Sequence, residues 1–240
     1  MIFRHVVVML MLAGVTACGQ QAGSTTSETV TTPTSAGTAN SSPAPAYAAT
    51  KLVVNETRGS NTVDVTLPQV SGGTPAVRDR FNSGMHAALE DLLGPAVDTA
   101  IYDGSLLDGD SSRITTLGPN VVGGVAIFNW YAQGAAHPNN SVATFVIDAR
   151  TAKPILLNDV WTDPQAAAAK LSTLVVRIDD RIGPLDPATM DNVLDWVPTP
   201  EGFHVYVPVA HVLGDYLPVT VPWAEIAELM TPAMRAALVG

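Results

Sequence analysis

The chain reads as an α+β protein: a mixed, mainly antiparallel sheet with two main helices packed on it, in a single domain behind an unstructured tether. Three observations lead there. Strand-like alternation and helix-like spacing fall in separate groups along the sequence, without the regular βαβ alternation of a doubly wound sheet. Two segments carry complete helix punctuation, a capping residue and proline at the start and a Gly-Pro stop at the end. From Gly19 to Thr50 the chain is almost entirely Ser, Thr, Ala, Gly, Pro and Gln, too poor in apolar side chains to offset the entropy of ordering.

Asn61–Leu67 alternates strictly, with Val63, Val65 and Leu67 on one face, and predicts a half-buried antiparallel strand. Gly72-Gly73-Thr74-Pro75 ends it and opens a helix, with Thr74 as the cap and Pro75 at the first helical position. Val77, Phe81, Met85, Ala88 and Leu92 follow at helical spacing, and Gly94-Pro95 is the stop. Val125–Gln133 and Ser141–Asp148 flank the turn cluster His137-Pro138-Asn139-Asn140, the pattern of a hairpin. Asp163-Pro164 opens a second helix with the stripe Ala167, Leu171, Leu174, Ile178 and Ile182, stopped at Gly183-Pro184. Trp196-Val197, a Pro-rich turn, the strand Phe203–Val207, a last strand Leu217–Val221 and a short helix near Trp223 complete the order.

Composition narrows the function. The 240 residues are 47% hydrophobic and 14% charged, and 22 Asp+Glu against 12 Lys+Arg give a net charge of −10. That balance excludes the basic footprint of a nucleic-acid binder. A single cysteine excludes a disulfide framework and any Cys-rich metal site.

The first segment predicts an address. Arg4 and His5 precede the apolar run Val6–Val15, too short to span a bilayer but suited to a secretory leader. It ends in Val15-Thr16-Ala17-Cys18, which resembles the bacterial lipobox, so residues 1–17 are expected to be a lipoprotein signal peptide and Cys18 the lipidated first residue of the mature chain. Two acyl chains anchor stably where one does not. The expected organisation is therefore 18–50 as lipidated cysteine and tether, 51–240 as the domain, held at the extracytoplasmic face of the cell membrane. An unmodified spacer and a glycosylated stalk fit the tether equally.

Motifs of chemistry are sparse. No Gly-x-Ser-x-Gly, phosphate loop or His-Glu-x-x-His occurs, and no cofactor or metal site is assigned. His204 and His211 lie seven apart on β-rich sequence, on opposite faces of any uninterrupted strand. Asp103, Asp108 and Asp110, with Ser111 and Ser112, make an acidic loop with oxygen donors of the type calcium takes, but without the regular loop spacing. Ser141, His137 and Asp148 supply the side chains of a hydrolase triad. His137, Asn139 and Tyr131, around the hairpin turn, are the candidate binding residues.

Several ordered segments also carry a resemblance. Gly134–Asn139 is followed by Phe145-Val146-Ile147-Asp148, Thr151-Ala152-Lys153 and Leu157-Asn158-Asp159-Val160-Trp161, and the chain closes on Pro218–Trp223. This series resembles the extracytoplasmic domain of RsiV-type anti-sigma factors and related actinobacterial secreted antigens, over about Asn61–Leu229. The family prefers glycine where this chain has Ala152, which leaves the turn type open, and Asp159 is expected to cap the following turn. The resemblance implies a secreted α+β module that binds an envelope protein, in RsiV itself lysozyme, or a cell-wall glycan. The acidic chain suits a basic, lysozyme-like partner or a peptidoglycan ligand. The alternative is a small, esterase-like envelope hydrolase with a Ser/His site.

Overall fold

The computed structural model describes residues 46–93 and 98–239. The expected leader, Cys18, most of the tether and the Gly94-Pro95 stop lie outside the described residues. Among those described, no helix is long and apolar enough to cross a membrane.

The fold is α+β. β1 (Tyr47–Arg58) and β2 (Asn61–Gly72) form an antiparallel ribbon, followed by α1 (Pro75–Glu90). β3 (Thr99–Asp103) and β4 (Arg113–Leu117) both pair with the same edge of the long strand β5 (Val121–Ala132), and β6 (Asn139–Asp148) pairs with its other edge. The ribbon joins through a short parallel ladder, Thr62–Asp64 against Ala100–Tyr102. A short α2 (Leu157–Val160) and α3 (Pro164–Ile178) follow. A second, three-stranded antiparallel sheet consists of β7 (Trp196–Pro198), β8 (Gly202–Pro208) and β9 (Tyr216–Pro222), before the short helices α4 (Trp223–Ile226) and α5 (Pro232–Leu238).

The strand period of two splits the core. Val122, Ala126 and Phe128 of β5 point to α1, where they meet Val63, Val65, Leu67, Phe81, Met85 and Leu89. Val121, Val125 and Ile127 point the other way, into a core shared with the three-stranded sheet and α3. Phe203 is central there, stacked on Trp196 with centroids 4.9 Å apart and edge-on to Trp161 and Trp223. These three tryptophans are buried in the core.

Several expectations change. The single expected sheet is two, because β7–β9 pair only with one another. Strand β1 begins at Tyr47, inside the expected tether: its ring lies over Gly73, whose missing side chain makes room, and its hydroxyl accepts from the Thr74 N–H at 3.3 Å. Thr74 holds the cap position of α1 without a side-chain cap bond, and the buried stripe ends on Leu89 in place of Ala88 and Leu92. Asp163 does cap α3, accepting from the N–H groups of Gln165 and Ala166 at 3.0 Å. Ile178 turns out to solvent, and Ile182 is buried beyond the helix end. Ala152 keeps the left-handed conformation, φ +56°, that the resemblance associates with glycine. Asp148 organises that turn. Its carboxylate accepts from the N–H groups of Arg150 and Thr151 and from the Arg150 guanidinium. Burial pushes the Asp148 carboxyl up, but these bonds outweigh it and hold it below the usual carboxylate range.

Candidate functional site

Three connections meet at one end of the domain. The first is the β5–β6 turn, residues 133–138. The second is the 3-10 turn His211–Leu213 with Gly214 and Asp215, between β8 and β9. The third is the excursion 104–112 between β3 and β4, which leaves the sheet after Gly104 donates to the Ile127 carbonyl and rejoins it where Ser112 bonds both Ile127 backbone groups.

His137 and His211 join the first two. Their rings stack with centroids 3.7 Å apart and planes within 11° of parallel. His211 Nδ1 lies 2.9 Å from Asp215 Oδ1, and Asp215 Oδ2 accepts from the Asn140 N–H at 2.7 Å. Asn140 also donates its side-chain N–H to the Gly214 carbonyl and accepts from Asn129. Gly214 and Asp215 both have positive φ, +88° and +72°, which turns the Asp215 carboxylate back between the two loops. Leu107 of the third loop packs where a Gly214 side chain would stand, 2.8 Å from its ideal Cβ position. Around this junction the surface is apolar as well as polar: Val212 is 83% exposed and Leu107 66%.

The candidate residues fall on this end. His137 is exposed; its Nδ1 faces the Pro138 carbonyl oxygen, and the Asn139 side chain donates to the His137 carbonyl. Tyr131 is exposed and follows Trp130, the partner of Asn139 in the ladder, so it lies beside the turn. The turn was legible in sequence; its partners His211 and Asp215 were not. Asn140 and Asp215 are 75 residues apart, and the only local sign was Gly214-Asp215, a turn signal after His211.

A second polar cluster is buried between the excursion and the three-stranded sheet. His204 Nε2 donates to Asp110 at 3.2 Å, and its Nδ1 accepts from the Thr220 hydroxyl at 2.8 Å. Asp110 also pairs with Arg113. His204 and Asp110 side chains are only 12% and 14% exposed. Burial, with Arg113 alongside, pushes the His204 imidazole down to about 4, so it is neutral at physiological pH. Thr220, His204 and Asp110 bond in the order nucleophile, base and orienting acid. The acid is already committed to Arg113, however, and the hydroxyl sits mid-strand, so the arrangement is a cross-link between sheets.

The other sequence constellations separate. Ser141 and Asp148 stand at opposite ends of β6, about 23 Å apart at strand rise, on opposite faces. His204 and His211 have different partners. The acidic loop is dispersed: Asp103 accepts from the Thr66 N–H, Asp108 binds Arg181, and Asp110 binds Arg113 and His204. The Arg181 guanidinium holds Asp108 below the usual carboxylate range. Among the described residues, no group of three or more His, Cys, Asp or Glu gathers as metal ligands.

A cleft of about 430 Å³ opens between β2 and β4, lined by residues including Lys51, Thr66, Asp103, Ser111 and Arg113. It is unsuited to an added strand. Along the open edge of β2 the Asp103 carboxylate covers the Thr66 N–H, Pro68 has none, and Asn82 covers the Val70 N–H.

No protein-family model matches the chain, and no curated protein does. Solved structures do. A DUF3298 family member from Bacteroides fragilis superposes with a TM-score of 0.56 at 13% identity, covering 81% of this chain and 98% of that one. The fold is the one seen in that DUF3298 protein. A DUF3298 family protein from Pseudomonas aeruginosa aligns over 80% of this chain and 97% of its own, at 12% identity and a TM-score of 0.48. At such identities the likeness concerns the DUF3298 fold alone.

Proposed function

We propose that this DUF3298-fold chain is a cell-envelope lipoprotein, anchored through Cys18, whose RsiV-like domain is a binding module using the three-loop end. The observation that carries this reading is the His137–His211 stack, which knits loops from two sheets into one surface bearing exposed Val212 and Leu107. Large apolar side chains held out of the core beside ordered polar groups are a usual mark of an interaction surface. Apolar contact and the acidic excess of the chain favour a protein partner, a basic one of the lysozyme type, over a glycan. Tyr131, His137 and Asn139 would lie within the contact.

The test is a titration of the full chain against a lysozyme and against soluble muropeptides at low and high salt. Binding of lysozyme that weakens with salt, and falls at least about tenfold in Val212→Asp or Leu107→Asp, is expected. Binding of muropeptides alone transfers the reading to a glycan ligand, and binding of neither at low salt overturns it. Acyl labelling lost in Cys18→Ala checks the anchor.

A further inference from the structure

We propose that the cleft between β2 and β4 binds a small zwitterion, a free amino acid or a short peptide. Its carboxylate lies toward Lys51 and Arg113 and its ammonium toward Asp103. An interruption of the sheet builds the cleft. β2 pairs with β3 only over Thr62–Asp64, and β3 ends at Asp103. β4 takes the place of β3 along β5 from Arg113, but no ladder joins β4 to β2. The resulting gap of about 430 Å³ is within the size range of small-molecule sites. The covered edge of β2, which turns away an added strand, restricts the ligand to a short one.

The walls carry separated charges of opposite sign. Lys51 lines the cleft from β1, is exposed, and has no ion pair among the described residues. Arg113 lines it from β4 with its side chain 37% exposed, and is set in place from behind by Asp110. Asp110 is held in turn by His204 and by the Ser111 N–H. Arg113 Nη1 also donates to the Ser111 carbonyl at 3.2 Å, and a guanidinium has five N–H donors, so others remain. Asp103 accepts from the Thr66 N–H at 2.7 Å through Oδ1, and its Oδ2 has no hydrogen-bond partner among the described residues. Because Asp110 balances Arg113, the uncompensated charges of the lining are one cation, Lys51, and one anion, Asp103. A simple anion or cation meets one attraction and one repulsion there, whereas a zwitterion meets two attractions. Val212 and Leu107 do not line this cleft, so this reading and the protein partner proposed above can fail independently.

The experiment is a nuclear magnetic resonance titration of the full chain with three probes: the dipeptide alanylalanine, its N-acetyl form and its C-terminal amide. The free dipeptide is expected to bind, and each cap to weaken binding by at least about threefold. Lys51→Gln is expected to weaken the free dipeptide and the N-acetyl form to a similar degree, and to leave the amide unchanged. Asp103→Asn, which keeps an acceptor for the Thr66 N–H, is expected to do the converse: it weakens the free dipeptide and the amide and leaves the N-acetyl form unchanged. Lys170→Gln, at an exposed position of α3 outside the cleft, changes none of them. No binding of the free dipeptide, binding indifferent to both caps, or binding unaltered in both cleft variants overturns the proposal.

Discussion

Two polar clusters built from similar residue types differ in one physical respect. His204 and Asp110 are enclosed between the excursion and the three-stranded sheet with Thr220, and Arg113 reaches Asp110 from the cleft, its side chain 37% exposed. His137 and His211 sit at a loop junction with exposed rings, the His211 side chain 45% exposed, braced by Asp215 and Asn140. Enclosure makes the first cluster a structural cross-link, costly to break because its charges are lost to water. Exposure makes the second inexpensive to alter and available to a ligand.

That contrast is open to test, beginning with the greatest effect. Asp110→Ala removes the partner of both Arg113 and His204 and is expected to cost about 3 kcal/mol in urea unfolding. A loss under about 1 kcal/mol would place the cluster with the surface ion pairs.

The pH dependence sharpens it next. His204 is held near 4 when folded, below its unfolded value. Its contribution is present above the unfolded value of about 6.5 and lost as pH falls toward 4. Asp195 has the opposite sense. Burial raises its carboxyl to about 7, so stability falls as pH rises from the unfolded value toward 7. Asp195→Asn is therefore expected to stabilise the fold by about 2 kcal/mol at pH 8 and to converge on the parent near pH 4. Equal stability of the two proteins at both pH values contradicts the burial argument.

A smaller effect is expected at Ala152, whose φ of +56° strains an ordinary side chain. Ala152→Gly should raise stability by about 0.5–1 kcal/mol, read as an upward shift in Tm. Smallest of all, His137→Ala and His211→Ala should change unfolding free energy by less than about 0.5 kcal/mol each. A loss of more than 2 kcal/mol would make the stacked pair a structural clamp.

Much of the fold was legible because its signals are local. Asp163-Pro164 and Thr74-Pro75 mark real helix starts, and the runs around His137-Pro138-Asn139 pair as a hairpin. β1 carries no local signature because its residues, apart from Val54, contribute little to the core and so show no clear alternation. Its start depends on Tyr47 meeting Gly73, a contact between strands that no local pattern announces. The site was half legible. His137 stands in a recognisable turn, but His204 and His211 look equivalent in sequence, and only burial distinguishes them.

Composition, periodicity and turn chemistry were sufficient for the α+β class, both long helices and the hairpin, since each depends on residues close in the chain. Tertiary structure alone decided that the strands divide into two sheets, that the acidic loop disperses among separate partners, and that His137 stacks on His211. Those outcomes depend on which distant segments exclude water from one another, and short-range sequence patterns do not encode that.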